Sequence, residues 1–165
     1  MTAPYLIAPL GEAHDRTNFN CGVAALDRYL RTQAGQDIRR HIANCFVAGP
    51  AGSNDVAGYY TLSAASITLG DLRDDVVRRL PRYPVVPAAR IGRLAIDQRH
   101  QGQGLGAAML FDASERALRS DAAIFAILVD AKDDQAAAFY RHHGFAPFKS
   151  RPLTLYLPAG TAKKL

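Results

Sequence analysis

Residues 89–130 restrict the fold more than any other part of the chain. ARIGRLAID (89–97) has the composition of a strand. RHQGQGLGAAML (99–110) opens on Gly102, Gly104 and Gly106 and then becomes an apolar run with helical spacing, which extends to about Arg119. IFAILVD (124–130) is continuously apolar, as expected of a strand buried on both faces. A strand, a glycine turn, a helix and a central strand in that order call for a mixed α/β domain built around one sheet.

The remaining segments fit beside that unit. YLIA (5–8) is a short strand pattern. Apolar residues recur at Val23, Leu26, Leu30, Ala34, Ile38 and Ile42. That stripe has a slightly long helical period and predicts two helices broken near Gly35. CFVAG (45–49) and VAGYYTLSAAS (56–66) flank the turn formers PAGSND and predict a hairpin. DLRDDVVRRL (71–80) reads as a short helix, with acids at its start and arginines at its end to suit the dipole. PRYPVVP (81–87) holds three prolines and reads as an extended connection. DQAAAFYRHHG (134–144) predicts a helix stopped at Gly144, and LTLYLP (153–158) a last strand.

The 165 residues, 48% of them hydrophobic, are enough for one compact domain spanning 1–165. No apolar run approaches the ~20 residues of a membrane span. MTAPYLIAPLGEAHDR lacks the basic start of a secretory leader, so a cytoplasmic location is expected. Cys21 and Cys45 are expected to be reduced. His142 and His143 are adjacent and so diverge on a helix; no metal site is expected. The net charge of +5 and the excess of Lys and Arg in residues 90–165 favour polyanionic partners.

A glycine turn between a strand and a helix suits a phosphate, because helix N-termini carry unsatisfied N–H groups and partial positive charge. A P-loop is excluded, since no Gly-Lys-Ser/Thr closes the run. Gly102-x-Gly104-x-x-Ala107 fits a dinucleotide fingerprint. That motif follows the first strand of a long βαβ series, however, and only about sixty residues remain here. A glycine turn of this kind also occurs without a ligand. The third phosphate reading is the pyrophosphate of coenzyme A, through Arg99-x-x-Gly102-x-Gly104.

With RLAID (93–97) before it and DDQAAAFYRHHGF (133–145) about thirty residues after it, this arrangement resembles the GNAT superfamily of N-acetyltransferases. Ala136, Phe139, Tyr140, Gly144 and Phe145 match that family's second motif; Asp133 stands where the family usually has Asn. The resemblance implies the GNAT fold, a mixed central sheet flanked by helices, with acetyl-CoA as cosubstrate. It implies that backbone N–H groups around Leu94, Ala95 and Ile96 hold the thioester. Gln101, Gly102, Gln103, Gly104, Leu105 and Gly106 would present theirs to the pyrophosphate. Arg99 would add a charge contact, and Asp133 and Phe139 would line the cofactor. Tyr140 would lie near the sulfur and assist departure of the thiolate. With a phenol near pKa 10 and a thiol near 8.5, full proton transfer is uphill by about 2 kcal/mol; a hydrogen bond that strengthens as the thiolate forms still helps.

No general base stands out, since Glu12, His14, Asp27, Asp97 and Asp133 read as surface or capping residues. An α-amine at about 7.7–8.0, lower still beside an ester, barely needs one. FNCGVAALDRYL (19–30), CFVAG, VAGYYTLSAAS, LPRYPVVPAARIGRLAID (80–97) and LVDAKDDQAAAFYRHHGF (128–145) together resemble the toxin branch of the superfamily. That branch implies acetylation of the α-amino group of aminoacyl-tRNA, a block to translation, a ribbon-helix-helix antitoxin and a homodimer. Candidate tRNA contacts are Arg78, Arg79, Arg82, Arg90 and Arg93, within a wider basic set of Arg39, Arg40, Lys149 and Arg151. A small-molecule amine or a protein N-terminus is an alternative acceptor. A non-catalytic acetyl-CoA-binding regulator is an alternative of another class.

Overall fold

The computed structural model describes residues 4–164. Strand β1 spans Tyr5–Pro9, β2 Asn44–Pro50, β3 Gly58–Thr68, β4 Val85–Ile96, β5 Ala126–Asp130, β6 Ala146–Pro147 and β7 Thr154–Pro158. Helices are α1 (Ala24–Arg28), α2 (Ala34–Arg39), α3 (Asp74–Val77), α4 (Leu105–Arg119), α5 (Asp134–His142) and α6 (Ala159–Ala162). The strands form a seven-stranded sheet in the order β1-β2-β3-β4-β5-β7-β6. β1 with β2 and β2 with β3 are antiparallel, the latter being the expected hairpin. β4 and β5 are parallel from Ala88↔Ala126 to Ile91↔Val129. β7 returns antiparallel to β5 and carries β6 on its other side. This is the mixed sheet flanked by helices that the sequence predicted.

The described residues divide into two compact units. One comprises residues up to Ser63 with Arg93–Glu115. Its core gathers Phe19, Tyr29, Leu30, Cys45, Val47, Val56, Tyr59 and Ala95. Both cysteines are buried and neither forms a disulfide among the described residues. The other comprises Ala64–Gly92 and the chain from Arg116, around Ile67, Leu72, Val86, Ala88, Ala126, Leu128, Phe148 and Tyr156. No helix among the described residues is long and apolar enough to cross a membrane.

Several boundaries differ from expectation. The break in the first helical region is a π segment at Tyr29–Gln33, not an interruption at Gly35. One wide turn absorbs the long period of the stripe, so that Leu26, Leu30, Ala34 and Ile38 all reach the same core. Ile42 lies beyond it and is exposed. The 71–80 helix shrinks to α3, because Arg73 is extended and donates its backbone N–H to the Tyr156 hydroxyl. The proline connection is shorter than 81–87. β4 already begins at Val85, and the Pro87 carbonyl accepts from Phe125 N, a role that needs no proline N–H. β6 and α6 have no counterpart in the sequence reading; both are too short to show a period.

Candidate active site

The end of β4 is shaped by what it does not pair with. Its register with β5 stops at Ile91↔Val129. The Arg93 N–H goes to the Thr61 hydroxyl at 3.1 Å, and the Asp97 N–H to the Ala57 carbonyl at 2.8 Å. Leu94, Ala95 and Ile96 lie between these fixed points. Gly58 lets this segment and α4 close on β3. A Cβ there would stand 2.8 Å from Met109 Sδ, 2.9 Å from Ile96 Cδ1 and 3.0 Å from the Ala95 carbonyl oxygen.

The glycine loop follows. Gly102 and Gly104 have φ of +79° and +80°, and a Cβ on either would meet nothing within 4 Å. Glycine is needed there for its backbone, and the side of the loop it leaves bare is open. α4 starts at Leu105. Among the described residues, the N–H groups of Gly102, Gln103, Gly104, Leu105, Gly106 and Ala107 donate to no other residue. These six donors lie in the loop and at the start of a fifteen-residue helix, where N–H groups have no partner within the helix and the dipole favours an anion.

The side chains of the loop are otherwise occupied. Asp97, 1% exposed, accepts from Asn20 N at 3.0 Å, Arg99 N at 2.9 Å, Arg99 Nε at 3.0 Å and Arg99 Nη2 at 3.3 Å. Burial pushes its carboxyl up, but these hydrogen bonds and the Arg99 charge hold it below the ordinary range. Asp97 is thus the capping residue expected, but it is not on the surface. Arg99, expected to face the cofactor, spends its Nε edge on Asp97. Gln101 Nε2 donates to the Cys21 and Ile96 carbonyls. Sequence reasoning missed these anchors because Asn20 and Cys21 lie about eighty residues from the loop.

Tyr140 belongs to α5, whose N-cap is Asp133; its Oδ1 accepts from Ala136 N at 2.8 Å. The carboxylate at this position of the motif has a structural task. Phe139 packs edge-on against the rings of Tyr140 and His143. The Tyr140 residue is 5% exposed, yet its hydroxyl has no hydrogen-bond partner among the described residues. No polar side-chain atom among them is both fully enclosed and unpartnered, so this hydroxyl reaches the surface of its unit. Burial, with the Asp130 charge added, pushes the phenol up to about 12. At neutral pH it stays protonated and can donate a hydrogen bond.

Two other groups considered as bases are also engaged. Asp27, buried at 7% rather than on the surface, accepts from Cys21 N, and His14 Nδ1 accepts from Gly11 N. The arginines separate into groups. Arg90 is paired with Asp130. The Arg93 guanidinium lies 3.6 Å from the centroid of the Tyr29 ring, a cation–π contact that orients it. Arg78, Arg79 and Arg82 are exposed. Lys149 and Arg151 pair with Asp74 and Asp71.

The sequence profile of the GNAT acetyltransferase domain matches residues 42–147, which include the end of β4, the glycine loop and Tyr140. The chain is 37% identical over 158 residues to a tRNA-acetylating toxin of Mycobacterium tuberculosis, covering 94% of this chain and 93% of that protein. It superposes on the toxin AtaT in complex with acetyl-methionyl-tRNAfMet with a TM-score of 0.89 at 27% identity, covering 98% of each chain. A mutant of AtaT bound to acetyl-CoA and the C-terminus of the antitoxin AtaR gives a TM-score of 0.81 at 25% identity, covering 97% of this chain and 96% of that one.

Proposed function

The chain belongs to the GNAT acetyltransferase family, and we propose that it is a toxin that moves the acetyl group of acetyl-CoA to the α-amino group of aminoacyl-tRNA. Translation stops because the acetylated amine can no longer attack. A cognate antitoxin, of ribbon-helix-helix type, neutralises it. We place it in the cytoplasm as a homodimer with one catalytic domain per chain.

The observation that carries the cofactor reading is the row of six unpaired N–H donors from Gly102 to Ala107. Backbone donors at a helix start bind a diphosphate without any charged side chain, which is consistent with Arg99 and Gln101 being used for internal ties. In the proposed reaction the carbonyl of the thioester is polarised by N–H groups of the Leu94–Ile96 segment. The neutral α-amine attacks the carbonyl carbon, and the thioester C–S bond breaks. The Tyr140 phenol donates a hydrogen bond to the departing sulfur. With that phenol near 12 and a thiol near 8.5, complete proton transfer is uphill by about 5 kcal/mol. Tyr140 therefore acts by a hydrogen bond that strengthens as charge builds on sulfur, more than by handing over its proton. The amine loses its proton to water. The engaged state of Asp27, Asp97, Asp133 and His14 is in keeping with a reaction that uses no enzymic base.

For the tRNA, we assign phosphate contacts to Arg78, Arg79, Arg82 and Arg93. Arg90 was also a candidate, but its ion pair with Asp130 commits it within the fold. Four phosphate contacts give a log–log salt slope of about −3, so affinity for tRNA should fall roughly 50-fold between 50 and 200 mM salt. A filter-binding titration at several salt concentrations checks this. A flat response would remove RNA as the substrate.

A further inference from the structure

The glycine loop has an anchor on β1, outside both motifs. The Tyr5 hydroxyl lies 2.7 Å from His100 Nδ1 and donates to Gln103 Oε1 at 3.0 Å. The Tyr5 and His100 rings meet edge to face, with centroids 5.6 Å apart at 83°. A phenol has one proton. If Gln103 Oε1, which can only accept, takes it, then Nδ1 of His100 must be the N–H donor of the first bond. The two contacts are then cooperative: His100 donates to the phenol and the phenol donates to Gln103.

We infer that Tyr5 is a positioning residue for acetyl-CoA: it clamps His100 and Gln103 on the two sides of Gly102, and so holds the loop's N–H donors in place for the coenzyme's diphosphate. The inference rests on the acetyl-CoA reading above. Asp97 and Gln101 fix only the base of the loop. From Gly102 to Gly106, Gln103 is the one polar side chain, and Tyr5 is its hydrogen-bond partner. Glycines lose more conformational freedom on ordering than any other residue. A loop with Gly102 and Gly104 ahead of the helix is costly to order unless a side chain ties it. With the tie, that ordering is complete before the ligand arrives, and the gain appears as affinity. The Tyr5 side chain bonds to His100 and Gln103, not to the thioester segment, so the gain belongs to binding and not to the chemical step.

The test compares Tyr5→Phe with the unaltered chain on two acetyl donors: acetyl-CoA and S-acetylpantetheine, which has the same thioester and no diphosphate. Phe keeps the ring against His100 and removes both hydrogen bonds. The expected result is a KM for acetyl-CoA raised about tenfold, with kcat within twofold, and no difference between the two proteins on S-acetylpantetheine. An equal loss on both donors, or no change on acetyl-CoA, would overturn the inference while leaving the acetyltransferase reading intact. An unaltered chain that transfers acetyl from neither donor would overturn that reading and the inference together.

Discussion

Tyr140→Phe should lower kcat by at least ~100-fold, within the range that a positioned proton donor contributes, and leave the KM for acetyl-CoA within twofold. The same variant should be as stable as the unaltered chain, to about 0.5 kcal/mol. The ring, 5% exposed, keeps its packing against Phe139 and Phe145. The hydroxyl that is lost has no hydrogen-bond partner among the described residues, so no internal bond is broken. Steady-state kinetics and thermal denaturation on one preparation separate the two possibilities. A fall in turnover at constant stability places the hydroxyl at the reacting atoms. Unchanged turnover, or a loss of activity that follows a loss of stability, removes Tyr140 as the proton donor.

Asp97→Ala should have the largest effect on the fold. The carboxylate is 1% exposed and accepts four hydrogen bonds, two of them from the backbone N–H groups of Asn20 and Arg99. Removing it orphans those donors and the Arg99 guanidinium beside them. The expected cost is about 3 kcal/mol, or roughly 10 °C in Tm for a chain of this size. Affinity for acetyl-CoA should fall as well, because the base of the glycine loop is released. The pH dependence has a definite sign. The Asp97 carboxyl titrates lower in the fold than in the unfolded chain. Its contribution is therefore complete above the ordinary carboxylate pKa of about 4 and disappears as pH falls through the lower folded value. Thermal melts of both proteins from pH 7 to pH 3 should differ most at neutral pH and converge in acid. A constant gap at every pH would show that the ionised carboxylate is not what stabilises this region.

The parts of the fold with strong local signals were legible in the sequence. A glycine turn was expected between a strand and a helix, and Gly102 and Gly104 stand in it, both at positive φ; IFAILVD contains a central strand; Asp133 precedes a helix and caps it. The unread parts depend on partners distant in the chain or on irregular geometry. The 4-residue spacing from Leu26 to Ile38 suggested a broken helix, where a π turn keeps the stripe continuous. Arg90 looked like a free basic residue. The parallel register sets it opposite Leu128, and Asp130, two residues on, presents its carboxylate on the same face. Tyr5 lay in an unremarkable apolar start, and nothing nearby announces a contact with His100, 95 residues away. The glycine turn was readable because it is a backbone feature. The anchors that hold it were not, because they are side chains brought together by the sheet.

The proposed acceptor is the α-amine of a charged tRNA. It is tested by incubating the protein with acetyl-CoA labelled in the acetyl group and with three acceptors in parallel: aminoacyl-tRNA, the same tRNA deacylated, and the free amino acid. The predicted result is label on the aminoacyl-tRNA alone, released by mild base as the N-acetyl amino acid. Equal label on deacylated tRNA, or label on the free amino acid with none on the charged tRNA, would contradict it.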